Sequence, residues 1–207
     1  MALITFSNTL RVKRLTWDRY DQDVTFRGVF GVQSVSSISP LWKVSLTFDL
    51  LNENQAGSYQ ALLMQLQGTR NRLALWNVGR PAPLGTFQGS VGSTGIVGTP
   101  AAGATSVTFQ NTSYPSKTLK AGDFFQLGDG SGTFQLVMTT ADATSDGSGS
   151  ITVSFEPALR FAIPAGSGVV LQQPTCQFRQ QVTTTGWSYE RTTVDGVTLD
   201  LLEDWRA

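Results

Sequence analysis

Five acidic residues in a glycine-rich stretch are the side chains best suited by type to chemistry: Asp123, Asp129, Asp142, Asp146 and Glu156. Paired carboxylates can run glycoside hydrolysis, and a cluster of them can hold calcium. Two of the five, however, open Asp129-Gly130-Ser131-Gly132 and Asp146-Gly147-Ser148-Gly149. In such turn sequences Asp accepts a backbone hydrogen bond and Gly takes a positive φ. Neither stretch follows the twelve-residue calcium loop, which needs acids at alternate positions and a closing Glu. The turn reading is therefore preferred, and a hydrolase built on Asp123 and Glu156 is kept as the weaker alternative. The glycines of Gly92-Ser93-Thr94-Gly95-Ile96-Val97-Gly98 are spaced somewhat like a phosphate cradle. No Gly-Lys-Ser/Thr follows and no helix is predicted to begin there, so that reading is set aside. The chain has no histidine, which removes Ser-His-Asp and Cys-His arrangements and every histidine-ligated zinc site. Its one cysteine, Cys176, cannot form an internal disulfide and reads as a small apolar strand residue. No cofactor, metal or catalytic residue is expected.

Charge points the same way. Lys plus Arg and Asp plus Glu number 15 each, for a formal charge of zero, which removes the long-range attraction of a nucleic-acid binder. Arg11, Lys13, Arg14 and Arg19 gather near the start, but Asp18, Asp21 and Asp23 cancel most of their field. Only 14 % of residues are charged, against roughly 25 % in an ordinary soluble domain. A neutral, lightly charged surface favours association, as in a subunit of an assembly. No signal-peptide pattern opens the chain and no run approaches 18 apolar residues, so neither secretion by that route nor a membrane span is expected.

The elements that position these residues are mostly strands. Trp42, Val44, Leu46, Phe48 and Leu50 alternate with Lys43, Ser45, Thr47 and Asp49, the period of a half-buried strand. SYQALLMQLQG then predicts the one helix, with Ser58 as its N-cap, Tyr59, Leu62, Leu63 and Leu66 on its buried face, and Gly68 as its left-handed stop. Leu73–Trp76 returns as a strand. Before this segment, Leu3–Phe6, Leu10–Val12 and Val24–Phe26 read as strands, and Gly28, Gly31 and the run from Ser34 to Ser39 as a turn region. After Arg80 the composition changes: residues 81–173 hold 14 of the 21 glycines and 6 of the 8 prolines but none of the five tryptophans. Five short strands are predicted there, at 106–109, 123–127, 133–137, 150–155 and 168–171, which suits a small closed barrel of the oligonucleotide/oligosaccharide-binding (OB) type. From Thr175 to Val182, Cys176, Phe178, Gln180 and Val182 alternate with Gln177, Arg179 and Gln181, and Asp195-Gly196 has the signature of a tight hairpin. The expected fold is mostly β: a discontinuous β-sandwich-like domain of residues 1–80 and 174–207 with one helix, plus an inserted small OB-like β-barrel at 81–173.

Two stretches carry a family resemblance. PLWKVSLTFDLLNENQAGSYQALLMQLQGTRNRLALW resembles the "Pro-x-Trp, strand, linker, helix ending in Leu-x-Gly, strand" segment of phage tail-tip proteins, and LKAGDFFQLGDGSGTFQLVMTTADATSDGSGSITVSFEPALRFAIPAGSGVVL looks like the barrel inserted after it. Together they are similar to the distal tail protein (Dit) of long-tailed, non-contractile phages, in the form that carries an OB-like insert. The resemblance implies a virion protein without enzymatic activity. It implies a homohexameric ring at the tail tip between tail tube and baseplate hub, with the 1–80/174–207 domain forming the ring and the barrel projecting outward. Implied partners are further copies of the chain, tail tube protein, hub protein, and tape-measure or peripheral fibre proteins. Specific nucleic-acid binding is not expected, and trimers are the alternative to hexamers.

Aromatic residues test the competing reading, a stand-alone carbohydrate-binding protein of two β domains. Sugar rings stack on exposed aromatics, yet the insert holds Phe87, Phe109, Tyr114, Phe124, Phe125, Phe134, Phe155 and Phe161 and no Trp, a composition that suits core filling. A spacer or fibre-docking role for the insert is therefore preferred to glycan binding. Trp42 and Trp76 fall on predicted inner faces. Trp17 and Trp205, near the chain ends, are the oligomer-interface candidates, since Trp is enriched at interface hot spots.

Overall fold

The computed structural model describes residues 2–7, 10–21, 23–29, 31–36, 40–48, 52–88, 94–128, 132–182, 186, 189–190, 193–194 and 198–204. The chain is mostly β with one helix among the described residues. It divides into two compact units, one of Met1–Asp21, Pro40–Gly79 and Gln177–Arg206, the other of Gln22–Ser39, Arg80–Cys176 and Ala207.

The first unit is a six-stranded sheet and a helix. Its strands are β1 (Leu3–Thr5), β2 (Val12–Tyr20), β5 (Leu41–Phe48), β6 (Arg72–Trp76), β15 (Thr175–Gln180, in this unit from Gln177 on) and β18 (Thr198–Glu203), in the order β1-β6-β15-β18-β5-β2. In β5 the residues Trp42, Val44, Leu46 and Phe48 are buried while Lys43, Ser45 and Thr47 are half-buried, so the two-residue alternation sorts the faces as expected. The register places Leu201 opposite Val44 and Leu199 opposite Leu46, which extends the apolar face across the neighbouring strand.

Helix α1 (Glu53–Leu66) covers part of that face with Ala56, Tyr59, Leu62, Leu63 and Leu66, all buried. The Tyr59 ring lies 5.2 Å from Phe48, and Phe6 packs against both Phe48 and Trp76. Each fully buried side chain of this size contributes about 1.5–3 kcal/mol. The helix starts earlier than Ser58. Asn52 is the N-cap, accepting from the Gln55 amide at 3.0 Å while the Gln55 side chain accepts from the Asn52 amide at 3.4 Å. This reciprocal box satisfies two free donors, whereas the Ser58 hydroxyl, inside the helix, donates to the Asn54 carbonyl. Gln67 at φ 50° and Gly68 at φ 64° make the left-handed exit together. A short pair, β16 (Tyr189–Glu190) and β17 (Thr193–Val194), completes this unit, and the expected Asp195-Gly196 turn lies outside the described residues.

In the second unit a six-stranded sheet runs β14-β10-β11-β13-β8-β7, from β7 (Gly95–Val97), β8 (Ser106–Gln110), β10 (Phe124–Gly128), β11 (Phe134–Thr139), β13 (Ser150–Glu156) and β14 (Val169–Val170). A two-stranded pair, β9 (Thr118–Leu119) and β12 (Ala143–Thr144), lies beside it in sequence. The Phe87, Phe109, Phe125 and Phe155 rings form a chain of contacts at 5.7–5.8 Å and are at most 1 % exposed. Core filling thus accounts for half of the insert's aromatics. The expected closed barrel is not formed: the edge strands β7 and β14 meet through one isolated bridge, Gly95 to Gly168, and a few backbone hydrogen bonds between 94–96 and 166–169. A two-residue β14 is too short to build a ladder, so the sheet stays open with its edges stitched.

Residues 23–28 and 31–36 also depart from expectation. They form a hairpin, β3 (Asp23–Gly28) with β4 (Gly31–Ser36), as a separate two-stranded sheet. Ser34 and Val35, read from sequence as turn residues, are in β4, and Ser37 to Ser39 lie outside the described residues.

Candidate self-association surface

The acidic residues do not converge. Asp123 is 1 % exposed and accepts from the backbone amides of Leu84 (2.7 Å), Gly85 (3.2 Å) and Lys120 (2.8 Å), with an Arg80 guanidinium nitrogen at 3.7 Å. A carboxylate so occupied is a fastener for the loop at 84–85. Its face follows from register: the next residue, Phe124, lies opposite Met138, and Met138 lies opposite Glu156, so Phe124 and Glu156 share a face. Successive strand residues point to opposite faces, so Asp123 and Glu156 sit on opposite sides of the sheet and do not form an acid pair. Asp142 is held by Lys120 at 2.6 Å and by the Ala121 amide at 2.8 Å, and these bonds keep its carboxyl below the usual range. Asp146 accepts from the Ser148 hydroxyl and the Ser148 and Ser150 amides, which lower its pKa likewise. That is the Asp turn expected from Asp146-Gly147-Ser148-Gly149. Asp129 lies outside the described residues. No group of three or more His, Cys, Asp or Glu is placed to hold a metal among the described residues.

Of the two tryptophans singled out as interface candidates, Trp205 lies outside the described residues. Trp17 is half-buried on β2, with its ring 6.2 Å from Trp42 and 5.5 Å, edge-on, from Phe178. It thus closes the open end of the apolar face on the sheet's outermost long strand.

The surface that sequence reading missed is the hairpin. Pairing sets Val24 opposite Val35, Phe26 opposite Gln33, Thr25 opposite Ser34 and Arg27 opposite Val32. Because directly opposed residues share a face, one side of the ribbon carries Val24, Phe26 and Val35, and the other Thr25, Ser34, Arg27 and Val32. The apolar side is uncovered: Val24 is 53 % exposed, Phe26 58 % and Val35 45 %. At the tip Val29 and Val32 are also exposed, around a shallow depression of about 410 Å³. An isolated hairpin is at best marginally stable in water, and three neighbouring uncovered apolar side chains mark a contact surface. The signal was present in sequence as the alternation of Val24 and Phe26, followed after Gly28 and Gly31 by Val35 on the returning strand. The serine run disguised the returning strand.

Strand β2 supplies the complementary feature. It stands at the end of its sheet, paired on one side with β5 over Val12–Tyr20 and, among the described residues, with no strand on the other. Nine residues make a long edge, and long edges invite strand addition.

No protein-family model matches the chain, and no curated protein matches its sequence. No helix among the described residues is long and apolar enough to cross a membrane.

Proposed function

We propose that this chain is a non-enzymatic structural subunit of a phage tail tip, assembling into a homohexameric ring that joins tail tube to baseplate hub and peripheral fibres. The observation that supports self-association is the hairpin β3–β4, whose apolar side carries Phe26, Val24 and Val35 at 45–58 % exposure. A ribbon of this kind needs a surface to lie on, and further copies of the chain are the partner always present at equal concentration. Neutral charge and sparse charged residues favour the same use. The fold is compatible with the resemblance to distal tail proteins in its helix between two strands and its second, glycine-rich sheet unit. Burial of Phe87, Phe109, Phe125 and Phe155 leaves those rings unable to stack on sugars, which favours the structural reading over a carbohydrate-binding one. Negative-stain imaging of the purified chain tests the proposal. Rings of six support it, and a field of single particles the size of one chain rejects it.

A further inference from the structure

We infer that the base of the glycine-rich unit is closed by a two-point latch on β10, which opens as one step and frees the segments leading into and out of the unit while its core stays folded. The two points are Asp123, just before β10, and Gln126 within it. Asp123 holds the entering segment: it is 1 % exposed and takes the Leu84 and Gly85 amides, with Arg80, where the segment enters this unit, at 3.7 Å. Gly85 lies so close to β9 that a Cβ on it would stand 2.0 Å from the Thr118 carbonyl oxygen. Gln126 holds the leaving segment: its side-chain oxygen accepts from both the amide and the hydroxyl of Thr175, each at 2.9 Å. The two segments are also tied to one another, since the Gln173 amide donates to the Pro81 carbonyl at 2.6 Å.

These ties form a closed circuit. The backbone of β10 joins Asp123 to Gln126, Gln126 holds Thr175, Gln173 holds Pro81, and the chain returns from Pro81 to the Leu84 and Gly85 amides on Asp123. In such a circuit each bond keeps the partners of the next within reach, so losing one lowers the effective concentration at the others. Opening is therefore concerted. It also costs less than unfolding, because the ties are hydrogen bonds near solvent: Pro81, Leu84 and Gln173 are exposed, and Gln126 and Thr175 are half-buried. The apolar core is reached at Phe87 on the entering side and left at Leu171 on the other, both 0 % exposed. Between those two anchors the buried members, Pro83, Gly85 and Pro174, are small beside the core rings, so the segments can part without opening the core. Polar ties with few buried apolar contacts are the marks of a locally opening element.

Hydrogen exchange of the full chain, read by mass spectrometry with fragmentation to single residues, tests the latch in two variants. Gln126→Ala removes the acceptor on β10. Thr175→Val removes only the hydroxyl and leaves β10 untouched, so it carries the test should a change within β10 disturb the sheet. In each, exchange should rise at the Gln173 and Thr175 amides and, in step, at those of Leu84 and Gly85, which touch neither altered side chain. The expected rise is about tenfold for Gln126→Ala and about threefold for Thr175→Val, the scale of one or two lost hydrogen bonds. Amides of β11 and β13 should keep their wild-type rates. A rise confined to 173–175, or no rise at all, would overturn the coupling and the latch with it. A rise that spreads equally to β11 and β13 would overturn it too, by showing that base and core open together.

Discussion

Replacing Tyr59 by Phe should stabilise the protein. Tyr59 is 0 % exposed in the middle of α1, against Phe48, and its hydroxyl has no hydrogen-bond partner among the described residues. Burying a hydroxyl without a partner costs about 1–3 kcal/mol. Phe keeps the ring and its contact with Phe48 and gives up only the oxygen's packing, so a net gain of about 1 kcal/mol is expected at pH 7. For a chain of this length that raises Tm by about 2–4 °C. Alkaline pH adds a second, independent readout. Burial pushes the Tyr59 phenol from 10.0 up to about 12, so the folded state holds its proton after the unfolded state has lost it. The fold-favouring contribution is complete below pH 10 and falls away as pH rises from 10 towards 12, at about 1.4 kcal/mol per pH unit. Phe has no such term, so the advantage of Tyr59→Phe should widen across that window. Urea melts of both proteins at pH 7, 9, 10.5 and 11.5 measure it. A loss of stability at pH 7 would show that the hydroxyl has a partner in solution, and a gap that stays constant to pH 11.5 would show that the folded state does not hold the phenol's proton above its ordinary pKa; either result would refute the reasoning.

Three further predictions rest on single positions. Asp123→Asn turns one acceptor towards backbone donors with an amide of the wrong polarity. It should cost about 2–4 kcal/mol and speed hydrogen exchange at the Leu84 and Gly85 amides, as read by mass spectrometry. Asn52→Ala removes the helix cap and should cost about 1 kcal/mol in urea unfolding, while Ser58→Ala should change little. Gly149→Ala would set a Cβ 2.0 Å from the Asn111 carbonyl oxygen at φ +78°. A shift of the 111–112 backbone is then required, and a drop in Tm of several degrees is expected by calorimetry.

Much of the fold was legible because its signals are local. The alternation from Trp42 to Phe48, the helix face at Tyr59, Leu62, Leu63 and Leu66, and the five strands after Arg80 all follow from side-chain period and turn residues. Less local features were read less well. The helix start was misplaced because the Asn52 cap works through its reciprocal bond with Gln55, while Ser58 offered a familiar capping residue closer to the leucines. Closure of the second sheet depends on pairing between Gly95 and Gly168, more than seventy positions apart, and no local pattern encodes whether two such edges form a ladder. Among the acids, Asp146 was legible as a turn residue. The role of Asp123 was not, since its partners Leu84 and Gly85 contribute backbone amides that leave no trace in residue type. The hairpin was half legible: its first strand was read, and its second was hidden by serines that turn out to line the polar side of a ribbon.

The most direct test of the account is the mass of the purified chain in solution, measured by light scattering during size-exclusion chromatography over a tenfold range of concentration. The account predicts a closed species near six times the 22.3 kDa chain, reduced to smaller species by Phe26→Asp. A concentration-independent mass of one chain, with the exposed hairpin intact, would contradict it.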